Sequence, residues 1–261
     1  FIRWEGNVPE IDATNTGITL TMNQSRLARA LFASTNATTR TWLGWTNAYA
    51  TNPANWYPGV PPTNGDAVVL DATSPRFLTW NLNVSLASWK QELGYTGTVT
   101  IQTRYPGYGD FTNLAITGDC DIQDGTWTHP VNSGDTAQAD RLNMTVGGNF
   151  TLGANADINV NAKGYAAQRG PGAGNGAGRG GSSFSAVPGR GASYGGRGSY
   201  TSTLTTNSWT YGSAVWPADL GSGASAQGGG AVFITAAGTA TVSSTISANG
   251  TCTTTESTGG S

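Results

Sequence analysis

The residues best suited to chemistry are three carboxylates in the run Gly118-Asp119-Cys120-Asp121-Ile122-Gln123-Asp124-Gly125. Leu114, Ile116, Cys120 and Ile122 share a parity. An extended segment that turns these four inward sends Asp119 and Asp121 outward together, about 7 Å apart along the strand. Two outward carboxylates at that spacing, followed by Asp124, suit a hard cation that prefers oxygen ligands, so structural Ca²⁺ is the candidate metal. The competing use of the same residues is a solvated polar face. General acid–base work would need a basic partner beside them, and the nearest in sequence are Arg104 and Arg141, so no catalytic residue is assigned. No other cofactor is expected.

A second set is aromatic. Trp42, Trp45, Trp56 and Tyr57 lie among Pro53, Pro58, Pro61 and Pro62, where proline density excludes a regular helix. Flat apolar rings stack on sugars, so these four residues are a candidate carbohydrate-binding platform. Their alternative use is a cap over the end of a stacked-coil fold, which would otherwise expose apolar core and unpaired strand edges. The single histidine, His129, precedes Pro130 in a turn-rich stretch and reads as a surface residue. No Ser/His/Asp or Cys/His arrangement can be built from it. Cys120 reads as a buried core thiol, and a bond to Cys252 is left open.

Those side chains must be positioned by β-structure. Only 11% of residues are charged and 38 of 261 are glycine, with abundant Ser, Thr and Asn. This composition fits stacked β-coils with hydroxyl and amide outer faces. From Asn143 to Gly164 the apolar residues Met144, Val146, Phe150, Leu152, Ala154, Ala156, Ile158, Val160 and Ala162 all fall on even positions. That period of two marks strands with one buried and one wet face, folding back near Gly147-Gly148 and again near Gly153-Ala154-Asn155. A related pattern returns from Ala231, and an 86-residue shift aligns Val146 with Val232 and Val160 with Ile246. Further strands are expected at Ile18–Met22, Leu27–Phe32, Ala67–Leu70, Phe77–Leu86, Thr98–Gln102 and Leu114–Gln123, separated by Gly and Pro turns. Coils of roughly 20–30 residues with no helical pattern between them favour an all-β, right-handed parallel β-helix, a solenoid, over a β-sandwich.

The expected organisation is a small β module over 1–35, a Trp/Pro-rich linker or cap over 36–66, and a β-helix over 67–261 with a Gly-rich insertion at 165–230. The insertion reads as a long loop that rejoins the coils at Gly228, packed by Tyr194, Tyr200, Trp209, Tyr211 and Trp216. Its Arg169, Arg179, Arg190 and Arg197 among glycines match an RGG-type RNA segment in form. The net charge of −2 and the strand-forming flanks argue against nucleic acid. Gly176 to Gly181 fits G-x-G-x-x-G, a match expected by chance in so Gly-rich a segment. No apolar run is long enough to span a membrane. With Phe1 already in an apolar pattern, the chain reads as a processed or excised piece of something longer.

Phe1, Trp4, Gly6, Val8 and Pro9, then Leu20, Met22, Ala30 and Phe32, give F-x-x-W-x-G-x-V-P followed by I-T-L-T-M-N and A-L-F-A. Over about 35 residues this resembles the second half of a divergent internalin-type B-repeat, a β-rich module of bacterial surface proteins. Trp45, Asn55, Trp56, Pro61, Gly65, Asp66 and Val68 are similar to the opening segment of autotransporter-like β-helix passengers. The Gly-rich segment beside Ser247-Ala248-Asn249-Gly250 resembles loops of large bacterial β-helix surface proteins. These resemblances imply an extracellular or cell-surface location and a non-catalytic structural or adhesive role. Its partners would be neighbouring copies in a head-to-tail filament, adjoining modules, or glycans. The Asp pair is also similar to that of calcium-dependent polysaccharide lyases with β-helix folds, which implies an alternative enzymatic role on acidic polysaccharides.

Overall fold

The computed structural model describes residues 3–6, 19–20, 28–31, 38–132, 137–173, 192–195, 210–224 and 226–251. The chain divides into two compact units, Phe1–Ala37 and Thr38–Ser261. In the first, β1 (Arg3–Gly6) pairs antiparallel with β2 (Ala28–Leu31), Arg3 opposite Leu31. Most of the Ile18–Met22 stretch lies outside the described residues.

The second unit is all-β. Among the described residues it has no α-helix, only a 3-10 turn at Pro53–Asn55. Its first strands are β3 (Thr39–Trp42), β4 (Trp56–Tyr57), β5 (Ala67–Leu70), β6 (Leu78–Trp80), β7 (Ser85–Leu86), β8 (Ser88–Gln91) and β9 (Thr98–Ile101). Then come β10 (Leu114–Ile116), β11 (Cys120–Thr128), β12 (Leu142–Val146), β13 (Phe150–Asn159), β14 (Val232–Ala236), β15 (Ala240–Val242) and β16 (Ile246–Ser247). One sheet has the order β14-β12-β10-β7. The other runs β15-β13-β11-β8-β5-β3-β4, with β6, β9 and β16 attached. Every strand pairing in this unit is parallel except β3 with β4.

Parallel register stacks inward side chains into columns. Val68, Trp89, Cys120 and Phe150 lie opposite one another in successive strands, as do Leu70, Gln91, Ile122 and Leu152. Leu78, Val99, Trp127 and Ile158 form a third column. All twelve are buried. Each strand is short and its alternation supplies only a few apolar groups, so the core exists only once neighbouring strands are paired in register. Indole rings run through it in edge-to-face contact: Trp42–Trp56 at 5.1 Å, Trp56–Trp80 at 6.2 Å, and Trp80–Trp89 and Trp89–Trp127 both at 5.0 Å.

Three sequence expectations change. The 86-residue shift is replaced by a register in which Leu142 faces Val232 and Phe150 faces Ala240, an offset of 90, while Ile158 faces Ile246, an offset of 88. All these offsets are even, so parity survives while the partners differ. The chain does turn at Gly147-Gly148, but the second fold-back does not form. β13 runs straight through Gly153-Ala154-Asn155, with an irregular register against β11 between Ile122 and Asp124. That irregularity turns Ala154 outward. The expected Phe77–Leu86 and Leu114–Gln123 strands are each split in two, by the 81–84 and 117–119 turns. β3 and β8 were not anticipated.

The Gly-rich segment returns to the coils through backbone contacts. Gly164 N–H donates to Gly228 O (2.9 Å), Gly228 N–H to Tyr165 O (3.0 Å) and Tyr165 N–H to Gly221 O (3.0 Å). A Cβ on Gly228 would lie 1.9 Å from Gly221 O, and one on Gly164 2.2 Å from Gly229 O. Backbone on both sides leaves nothing to give way, so glycine is required for close approach. Gly228→Ala is expected to destabilise the unit by about 2 kcal/mol or more, read as a lowered denaturation midpoint. Gly59→Ala, with open space around its Cβ, is the comparison for conformational cost alone. Tyr194 and Tyr211 pack edge to face at 5.1 Å within this segment. Trp216 is 69% exposed but touches the sheet through Phe233, and Tyr200 and Trp209 lie outside the described residues.

Candidate functional site

Asp119, Asp121 and Asp124 sit on or beside β11 but do not converge. Among the described residues no three His, Cys, Asp or Glu side chains are placed to share a metal ion. Asp119 Oδ1 accepts from Asn149 N–H (2.7 Å). Asp124 accepts from Gly94 N–H with Oδ2 and from Gly125 N–H with Oδ1, both at 2.8 Å. Asp121 Oδ1 accepts from the Gln123 amide. Each carboxylate therefore serves its own turn or strand face, and the three expected calcium ligands are not gathered around one point. The parallel register also supplies a basic neighbour that sequence distance hid: Lys90 lies opposite Asp121 on β8. Its ammonium donates to Glu92 (2.7 Å), and that hydrogen bond, with Glu92 and Asp121 charge, raises its pKa. A proton acceptor needs the opposite shift.

The aromatic set splits. Trp42 and Trp56 are buried, Trp42 Nε1 donating to Arg76 O (3.1 Å) and Trp56 Nε1 to Ala50 O (2.7 Å). They close the β3 end of the larger sheet, where β4 pairs antiparallel onto β3, and they leave no ring face for a ligand. Trp45 is 71% and Tyr57 67% exposed, with no ring contact joining them. Of the four rings expected to form a sugar platform, only Trp45 and Tyr57 offer exposed faces. The buried pair is fixed by Asn55, whose amide donates to Asn47 O (2.9 Å) and Tyr49 O (3.0 Å). Beside Trp45 lies an open hollow of about 360 Å³ lined by Gly44, Thr46, Asn47, Ala48, Arg76 and Phe77.

His129 is not on the surface. It is fully buried at the end of β11, and burial lowers its pKa to about 4 despite the hydrogen bond to Pro130. Nδ1 lies 2.7 Å from Pro130 O, which can only accept, so Nδ1 carries the proton. Nε2 then accepts from Ala231 N–H at 3.2 Å, tying the coil that follows the Gly-rich segment to the coil of β11. Cys120 is a free, fully buried thiol whose pKa burial raises. Cys252 lies outside the described residues.

The last described coil differs from those before it. Val242 and Ile246 occupy the inward columns above Leu152 and Ile158, yet are 49% and 42% exposed while the residues beneath them are fully buried. A groove of about 450 Å³ opens there, between Pro217, Gly230 to Val232, and Thr245 to Asn249.

Fold and site together define an all-β protein built on parallel sheets. Comparison with protein-family models, with curated proteins and with solved structures finds no match to this chain. Among the described residues no helix is long and apolar enough to cross a membrane.

Proposed function

We propose that this chain is a non-catalytic structural or adhesive module of a bacterial surface protein, folded as a right-handed parallel β-helix. Its role is to extend and assemble, by receiving a further coil on its open end from a neighbouring copy or an adjoining module. The carrying observation is the exposure of Val242 and Ile246 in columns that are otherwise dry. β14 and β15 are edge strands at that end, so an incoming strand would gain backbone hydrogen bonds and cover these side chains together. The opposite end of the larger sheet carries β4, Trp42 and Trp56 as a cap, so assembly has a direction. The internalin-like and autotransporter-like resemblances and the scarcity of charge support a surface location.

The test is sedimentation of the full chain over a concentration series, beside a Val242→Lys/Ile246→Lys double variant. The wild type is expected to form concentration-dependent assemblies and the variant to stay monomeric, because two buried unpaired charges would block a dry contact. A wild type that remains monomeric throughout sinks the assembly reading.

A further inference from the structure

On the outer face of the smaller sheet a guanidinium is held between two aromatic rings with nothing to bond. Arg141, just before β12, places its Cζ 4.6 Å from the Tyr105 ring centroid and 5.5 Å from that of Phe233. Phe233 lies on β14 opposite Asn143 and packs against Trp216, centroids 6.1 Å apart and planes tilted by 57°. Trp216 is 69% exposed. The loop carrying it is anchored to the same cluster by Tyr105 Oη, which donates to Ala218 O (2.7 Å), and is shaped by Trp216 N–H donating to Ser213 Oγ (3.1 Å).

The unused donors are the informative feature. Arg141 takes part in none of the ion pairs among the described residues, which join Arg40 to Asp66, Lys90 to Glu92 and Arg104 to Asp140. Its side chain makes no hydrogen bond, and Nε is buried without a partner. The two Nη groups are not among the buried unpartnered atoms, so each keeps some contact with solvent. Of the nearby acids, Asp140 lies 3.6 Å from Arg104 with its Oδ1 making no hydrogen bond, and Asp219 accepts from the Gln138 amide at 3.1 Å.

A guanidinium has donors only, and a planar fork fixed by stacking has already lost the rotamer freedom that binding would otherwise cost. Its open edge matches the two oxygens of a carboxylate. The neighbouring Trp216 offers an apolar ring face of the size of a pyranose. Thr235, the next outward residue on β14, adds a hydroxyl about 7 Å along the strand. We propose that Arg141, Phe233 and Trp216 form a binding site for a carboxylated sugar unit of an acidic polysaccharide, Arg141 taking the carboxylate and Trp216 the sugar ring. An isolated peptide carboxylate would use the fork but leave Trp216 idle, so the pairing of the two features favours the sugar.

The experiment titrates the full chain with oligogalacturonate and with a neutral galactan oligomer of equal length, by calorimetry. The acidic oligomer is expected to bind and the neutral one to bind at least about 10-fold more weakly. Arg141→Gln should weaken acidic-oligomer binding by roughly 10- to 100-fold, since a charge-assisted pair is lost. Arg141→Lys should restore little of it, because the ammonium lacks the stacked planar fork. Trp216→Ala, at an exposed position where folding is not at stake, should weaken binding about 10-fold. Equal binding of the neutral oligomer, wild-type affinity in both Arg141→Gln and Trp216→Ala, tighter binding of an acidic peptide, or no binding of the acidic oligomer would each overturn the site. The ledge lies on the outer face, so the Val242→Lys/Ile246→Lys variant should keep full affinity. Failure of the assembly reading and failure of this one are thus told apart.

Discussion

Acidification from neutral pH to pH 4 is expected to remove about 3 kcal/mol of folding stability from the Thr38–Ser261 unit through His129 alone. The unfolded chain protonates this imidazole near pH 6.5, whereas burial in the folded state lowers the value to about 4. Between those limits the unfolded state binds the extra proton, so stability falls as pH drops from 6.5 and levels off below 4. The structural cost is specific. A proton on Nε2 destroys the acceptor for Ala231 N–H and places a cation in a dry site, with Lys163 nearby adding repulsion. The coil after the Gly-rich segment should therefore loosen first, with amide exchange at Ala231 rising before exchange in β11. His129→Gln should be less stable at neutral pH but lose the fall in stability between pH 6.5 and 4.5, since Asp66 is lowered and titrates below that range while Asp140, raised by burial, acts in the opposite direction. A wild type whose stability is flat over that interval would show that the imidazole is not held neutral.

Trp127→Ala is expected to cost about 5 kcal/mol, the largest effect of any single substitution considered for this chain. The ring is fully buried and packs on Trp89 at 5.0 Å, so truncation opens a large cavity in a column that cannot collapse without shifting several coils. A second loss adds to it. Trp127 Nε1 donates to Gln91 Oε1 at 2.8 Å, and Gln91 is itself buried, so removing the indole leaves an unpaired amide oxygen in the core. Trp89 provides the contrast, because its Nε1 is buried with no partner. Trp89→Phe keeps most of the ring and deletes an unsatisfied donor, so it should cost less than about 2 kcal/mol. Denaturant unfolding with a two-state test measures both. Losses for the two variants that agree within about 1 kcal/mol would mean that neither the cavity nor the unpaired Gln91 oxygen carries the expected weight.

What sequence alone determined is the alternation. Strict period two places Leu152, Ile158 and Val160 inside and Thr151, Asp157 and Asn159 toward solvent, because side chains on an extended backbone have only two directions to point. It also marked Ala67–Leu70 as a strand and Cys120 as a core thiol. Partnership between strands was beyond its reach. An even shift of 86, 88 or 90 residues preserves parity, so only the paired strands could select 90 for Phe150 with Ala240. β8 went unseen because Ser88-Trp89-Lys90-Gln91 turns a glutamine inward, and Gln91 is tolerated only because Trp127, distant in sequence, satisfies it. Tertiary structure likewise divided the aromatic group, burying Trp42 and Trp56 while exposing Trp45 and Tyr57. It carried His129 into the core and set Arg141 between Tyr105 and Phe233. Burial and pairing of that kind depend on which strand pairs with which, a property of parallel register that no short window of sequence contains.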